Sequence, residues 1–278
     1  MNNLKDYDVL LMDLWGVVYD GNNLYPGAVE TLHKLKEMGK RVVFFSNVPR
    51  RKSTVEAMLL NFGVDNSLYS KLVASGEFVN ELLSEKKQFG TKYFYLGSPE
   101  SEEVILNLGE YERAAHAKDA DFSIITGIVN YYTEAMKLAE EAVKYQLPML
   151  CINPDKYSIK RDGEMMPCPG VVADKYEKLG GEVIYFGKPY KPIYEYALKD
   201  VGVNQRVLAI GDSMGNDIKG ATNMNLDSVL ICSGIHRHDL GIDVGDMPDE
   251  KNLSQLYEKH SIKPTFVVSL LKDIVSNS

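Results

Sequence analysis

Residues 9–12 read Val-Leu-Leu-Met without a polar interruption and run directly into an aspartate, Asp13. Such a run suits a strand buried on both faces, the mark of a parallel sheet covered by helices, rather than the alternation of a half-solvated strand. The apolar character carries the expected strand from Val9 to Trp15. Pro26 and Gly27 then open a helical stretch in which Val29, Leu32, Leu35 and Lys36 keep amphipathic spacing, and Gly39 closes it. Arg41–Phe45 (RVVFF) predicts the next strand and Arg51–Phe62 the next helix. Val207–Ile210, Asp217–Asn223 and Val229–Cys232 repeat strand, helix and strand near the other end. This alternation predicts an α/β fold built on a doubly wound, mostly parallel sheet.

The middle differs in texture. Lys92–Leu96, Phe122–Thr126 and Met149–Ile152 predict strands and Thr133–Tyr145 a helix, while residues 97–121 are charged and less periodic. The expectation is a second domain inserted over residues 78–180, with 1–77 and 181–278 as the two parts of one discontinuous core.

Composition narrows the function. A net charge of -8 and a pI near 5.3 argue against a nucleic acid polymer as partner. A small anion remains compatible, because a pocket can be locally positive. Cys151, Cys168 and Cys232 are odd in number and include no CxxC pair, which points to a reducing compartment rather than a disulfide framework. The start, MNNLKDYD, lacks the basic and apolar regions of a signal peptide. No apolar stretch approaches the roughly 20 residues of a membrane span. A cytoplasmic protein without a membrane partner is expected, and a homodimer is left open.

Four features carry chemistry: Asp13 followed by Leu-Trp-Gly, Ser46-Asn47 after VVFF, Lys188 in FGKP, and GDSMGND with Asp212 and Asp217. Each lies at the carboxyl end of an expected strand, where open α/β sheets hold their ligands. Singly, each has a bland account: a turn aspartate, a helix cap, a surface lysine, a solvated turn. Together, three carboxylates would repel one another unless a hard divalent cation resolved the conflict. Lys188 and the Ser46 hydroxyl would add donors for phosphate oxygens.

In this order the four features resemble the four motifs of the haloacid dehalogenase (HAD) superfamily. DGNNLYPGA at 20–28, ASGEF at 74–78, INPD at 152–155 and CPGVVADKYEKLGGEVIYFGKP at 168–189 look like further stretches of its class IIA phosphatases, so the likeness spans nearly the whole chain. The resemblance implies a Rossmann-like core with the large inserted α/β cap domain of that class. It also implies a Mg2+-dependent hydrolase, a phosphatase acting on a small phosphorylated metabolite through an aspartyl phosphate. By the same resemblance Asp13 is the nucleophile and a metal ligand. Ser46 holds the phosphoryl group, with Gly16 and Asn47 also binding substrate, and Lys188 neutralises charge. Asp212 binds the metal, Asp217 supports it, the Trp15 carbonyl is a further ligand, and Asn153 and Asp155 reach the pocket from the cap.

Trp15 departs from the pattern, because the phosphatases place there a second Asp that protonates the leaving oxygen and then activates water. Indole does neither. A catalytically impaired phosphate- or metabolite-binding protein of the same fold is therefore the alternative function. Dehalogenases also lack the second Asp but work without the metal that the Asp212–Asp217 loop suggests; phosphonate-cleaving relatives use a cap lysine not identifiable here. Asp20 is a candidate substitute acid, with a simple Asp20-Gly21 turn the preferred account. His236 and His238 read as a solvated loop rather than a zinc site, His33 and His116 as bystanders, and Tyr131-Tyr132 as packing residues that could instead face a substrate.

Overall fold

A computed structural model describes residues 4–160 and 162–275; the first three residues of the polar start lie outside them. Its strands are, in chain order, β1 (Val9–Met12), β2 (Arg41–Ser46), β3 (Lys71–Ala74), β4 (Lys92–Tyr95), β5 (Glu112–Arg113), β6 (Phe122–Ile125), β7 (Met149–Cys151), β8 (Tyr157–Ile159), β9 (Met165–Pro167), β10 (Val183–Tyr185), β11 (Val207–Gly211), β12 (Asp227–Ile231) and β13 (Phe266–Val268). Two parallel sheets result. One has the order β13-β12-β11-β1-β2-β3 and the other β10-β7-β6-β4-β5, while β8 and β9 form a separate antiparallel hairpin.

The apolar run at 9–12 lies at the centre of the first sheet, with Met12 beside Ile210 on one side and Phe44 on the other. Its alternate residues feed two cores. Leu10, Met12, Phe44 and Ile210 pack with Leu32 and Leu35 of the helix Ala28–Glu37. Val9, Leu11, Val43 and Phe45 pack with Val79, Ile193 and Tyr194, and the same cluster continues into Tyr95, Ile124, Leu150 and Ile152 of the second sheet. Both faces of β1 are thus dry, as an unbroken apolar strand requires. Chain order reverses between β1 and β11, which sets a crevice at their carboxyl ends.

Three expectations differ from the structure. The strand at Val9 ends at Met12, because the amides of Val17, Val18 and Tyr19 all turn back to the Leu14 carbonyl. Leu14, Val17 and Val18 are apolar because that turn is buried, not because the strand continues. A boundary at residue 180 would assign β10 to the core, whereas β10 pairs with β7 in the second sheet. The helix expected over Asp217–Asn223 begins earlier, as a wider helical turn over Met214–Ile218 that runs directly into Lys219–Asn223. Among the described residues no helix is long and apolar enough to cross a membrane.

Phe44, fully buried in β2, tests this packing. Phe44→Ala is expected to destabilise the protein by about 3–5 kcal/mol, read as a lowered urea midpoint for the transition that reports the first sheet.

Candidate active site

Register places the chemistry. The Asp13 amide donates to the Ile210 carbonyl at 2.8 Å, so Asp13 leaves β1 level with the end of β11, and Asp212 follows β11 directly. Ser46 ends β2, with Asn47 next. Gly16 has φ +81°, and a Cβ there would lie 1.9 Å from Asp212 Oδ2, so a side chain is excluded on both counts. The backbone of the 13–19 turn can approach the Asp212 carboxylate only because position 16 is glycine.

The centre is a buried ammonium. Lys188, 2% exposed, has its Nζ 2.8 Å from Asp13 Oδ1 and 2.7 Å from Asp217 Oδ1. Burial alone would lower the lysine pKa, but Asp13, Asp217 and Asp155 outweigh it and hold the group well above its ordinary value. Burial pushes Asp13 up to about 7, opposed by Lys188. Asp212 is also raised well above the carboxylate range, by burial and then by Asp13 and Asp217. Asp155 rises to about 6 through burial, opposed by Lys188 and by the Asn47 hydrogen bond.

Asp13, Asp212 and Asp217 present oxygens that lie within 4.8 Å of one another. The protein bonds at Asp13 fall on Oδ1, from Leu14 N and Lys188, and the bond at Asp212 falls on Oδ2, from Ile235 N. This leaves Asp13 Oδ2 and Asp212 Oδ1 for a cation. Asp217 is more committed: Oδ1 takes Lys188 and Oδ2 the Ser213 amide. Buried, mutually repelling, all-oxygen donors fit a hard divalent ion.

Asn47 acts as a clamp. Its Oδ1 accepts the Lys188 amide at 2.6 Å, and its Nδ2 donates to the Lys188 carbonyl at 3.1 Å and to Asp155 Oδ1 at 2.8 Å. Asn216, which the sequence reading did not single out within GDSMGND, donates to the same Asp155 oxygen at 2.6 Å. The INPD loop is thereby tied to both lobes of the first sheet's crevice. Asn153 shapes that loop by accepting the Asp155 amide at 2.9 Å.

A cavity of about 50 Å³ is lined by Asp13, Trp15, Asp155, Lys188, Asp212 and Asp217, together with Asn216 and Tyr157–Ile159 of the hairpin. Ser46, Asn47, Gly16 and Asn153 are not among its lining residues. They were expected to bind substrate; in this arrangement Asn47 and Asn153 hold other site residues, Gly16 makes room for Asp212, and the Ser46 hydroxyl accepts the Val48 amide at 3.3 Å. The Trp15 indole donates to the Ile159 carbonyl of β8 at 2.9 Å and bridges the two parts of the chain.

The remaining candidates separate clearly. Asp20 Oδ1 accepts the amides of Asn22 and Asn23, the turn geometry preferred from sequence. His33, His116 and His238 are exposed. His236 is not in a solvated loop. It is buried, its Nε2 accepts the Met214 amide at 3.0 Å, its Nδ1 faces Asp239 at 3.2 Å, and burial pulls its pKa down to about 4. The segment after β12 folds back as the short helix Arg237–Leu240, which a pair of histidines in sequence did not reveal.

Raised carboxyl pKa values fix the sign of a pH effect. In the metal-free fold Asp13 and Asp212 retain protons that the unfolded chain has released at the same pH, so their contribution to stability falls as pH rises above the ordinary carboxylate range, for Asp13 through about 7. A cation must displace those protons and binds better at high pH. The rise in Tm on adding Mg2+ is expected to be small near about pH 5 and to grow toward about pH 7.5, with Asp212→Asn flattening the trend. An Mg2+ effect equal at both pH values would exclude these carboxylates as its source.

Two family profiles match the chain: "Haloacid dehalogenase-like hydrolase" over residues 10–110 and "HAD-hyrolase-like" over residues 185–274. The sugar-phosphatase AraL of Bacillus subtilis is 27% identical over 81% of this chain and 83% of its own. The ribonucleotide monophosphatase NagD of Escherichia coli is 25% identical over 86% and 92%. A haloacid dehalogenase-like hydrolase from Brucella suis superposes with a TM-score of 0.79 at 27% identity, covering 97% of this chain and 98% of that one.

Proposed function

The chain belongs to the haloacid dehalogenase-like hydrolases, and from that premise we propose that it is a phosphoric monoester hydrolase acting on a small phosphorylated metabolite. The observation that carries the reading is the Lys188 ammonium held between Asp13 and Asp217 beside Asp212. Asp13 is the nucleophile. Its carboxylate would be repelled by an anionic phosphate, and the Lys188 ammonium beside Oδ1 relieves that repulsion. Lys188 is kept charged by its carboxylate neighbours, and Asn47 fixes its backbone. Ser46, at the end of β2, is the proposed phosphoryl-binding hydroxyl, with Gly16 beside the site. Asp13, Asp212 and the Trp15 carbonyl are the proposed ligands of Mg2+, with Asp217 supporting it. When bound, the ion neutralises charge on nucleophile and phosphate and orients the two. The segment built around β4–β10 is the proposed cap, with Asp155 its contribution to the cavity.

Trp15 supports a refinement. With no carboxylate at this position, the leaving oxygen receives no proton and water no base, so leaving groups stable as anions react and the aspartyl phosphate breaks down slowly. The same residue favours the alternative of a phosphate-binding protein with impaired turnover. Acetyl phosphate is expected to label Asp13, detected as a phosphate adduct by intact mass, and Asp13→Asn should abolish the adduct. Trp15→Asp, once shown to fold, should raise alkyl phosphate hydrolysis by roughly 100- to 10,000-fold. Efficient alkyl phosphate turnover by the unmodified protein would overturn the role given to Trp15 and turn attention to Asp155 as the acid. Absence of any adduct with acetyl phosphate would overturn the nucleophile.

A further inference from the structure

Two of the three clustered carboxylates, Asp212 and Asp217, come from one stretch of chain, the end of β11 and the wide turn Met214–Ile218 that follows it. The position of that turn therefore sets where their oxygens stand relative to Asp13. Much of its backbone is satisfied from within. Ser213 N donates to Asp217 Oδ2 at 3.0 Å, Asn216 N to Ser213 Oγ at 3.3 Å, and Asp217 N and Ile218 N to the Ser213 carbonyl at 2.9 and 3.1 Å. Met214 differs: its buried amide donates outside the turn, to His236 Nε2 at 3.0 Å.

That bond fixes where the ring proton sits. A backbone N–H only donates, so Nε2 must offer a lone pair, and the proton of a neutral imidazole is then on Nδ1. Nδ1 faces Asp239 Oδ2 at 3.2 Å, and the Lys259 ammonium stands 3.1 Å from the same oxygen. A carboxylate so paired is a strong acceptor for the Nδ1 proton. Burial keeps the ring neutral, with its pKa pulled down to about 4. Packing holds it as well, since His260, at the end of the helix Glu250–His260, meets it edge-on at 5.2 Å. The segment that carries His236 also touches Asp212 directly: Asp212 Oδ2 accepts the Ile235 amide at 2.7 Å, and a Cβ at Gly234 would lie 2.1 Å from that oxygen.

We infer that His236 is a positioning residue for the divalent-cation site: as a neutral Nδ1–H ring it anchors the Met214 amide and so fixes the turn that carries Asp212 and Asp217. The inference rests on the cation assignment within the proposed function and extends it to a residue outside the carboxylate cluster. The contacts run from Lys259 through Asp239 and His236 to Met214, and each link has one polarity. A flipped ring would set a donor against the Met214 amide. Without an acceptor at 236 that buried amide has to find another oxygen, and the two carboxylates move with the turn.

The test is Mg2+ binding to the whole chain without substrate, read by calorimetry. His236→Leu, which keeps bulk and removes the acceptor, is expected to weaken binding by roughly 10- to 100-fold. His236→Gln, whose Oε1 can take the place of Nε2, is expected to stay within about threefold of the unmodified protein. Leu256→Ala opens the apolar cluster that Met214 shares, so it should lower Tm while leaving Mg2+ affinity within about twofold. Nitrogen-15 NMR of the unmodified protein should show His236 protonated at Nδ1 and unprotonated at Nε2, a readout that needs no variant to fold. An Nε2–H tautomer, or equal Mg2+ affinity in the unmodified protein and both His236 variants, would overturn the inference. An equal loss in all three variants would overturn it too, because general loosening would then be the cause. Mg2+ affinity that follows His236 as expected, with no adduct on Asp13 from acetyl phosphate, would keep the inference and sink the hydrolase reading. Unmodified protein that binds no Mg2+ would overturn the cation assignment and the inference together.

Discussion

One buried ammonium holds this structure's chemistry together. Moving a lysine out of water costs several kcal/mol, and the cost is met here by carboxylates at 2.7 and 2.8 Å. Those carboxylates come from opposite halves of the chain, after β1 and after β11, and the lysine itself from the loop that follows β10. The two halves of the first sheet cannot separate without exposing an unpaired charge in a dry place. Removing one partner from such an arrangement typically costs about 3–5 kcal/mol. The excess of carboxylates over ammonium, with Asp13 and Asp212 pushed toward protonation, is the reason a cation fits.

What the sequence made legible follows from the same physics. Strands dry on both faces leave unbroken apolar runs, so β1, β2, β11 and β12 stand out, and the residues at their ends can be named from position alone. Asp13, Asp212 and Asp217 meet in one place for that reason, while Lys188 reaches them from the loop after β10 of the second sheet. Short elements left no such trace. β5 has two residues and β8, β9 and β10 three each, and among them only Ile159 is buried, so the hairpin over the site and the edge of the second sheet went unread. Asn216 was hidden because a turn-rich stretch such as GDSMGND offers several polar residues, and only coordinates tell which one reaches Asp155.

The seam between the two sheets combines an apolar and a polar layer. Behind the site, Val43, Phe45 and Leu11 share one cluster with Tyr95, Ile124 and Leu150, which fixes the sheets broadly against each other. In front, directional bonds set the finer position: Trp15 to the Ile159 carbonyl, Arg237 to the neighbouring Lys160 carbonyl at 2.8 Å, and Asn47 and Asn216 to Asp155. Burial area resists separation but tolerates sliding; hydrogen bonds to single atoms do not. The hairpin is therefore located by donors that belong to the first sheet's own loops.

That arrangement makes closure part of the electrostatics. Asp155 is a counter-charge to Lys188, and it also supplies the acceptor for two side-chain amides of the crevice. If the INPD loop lifted, Asn47 and Asn216 would lose a shared partner and Lys188 a third carboxylate, while water reached Asp13 and Asp212. Their carboxyls would then fall back toward the ordinary range, since burial is the largest cause of their shift. Trp15 is bonded to the neighbouring hairpin by its indole nitrogen and meets Tyr19 edge-on at 5.6 Å. An aspartate at the same position could not fill that space or reach across it. Trp15 thus ties the turn after β1 to the hairpin through a single directional bond.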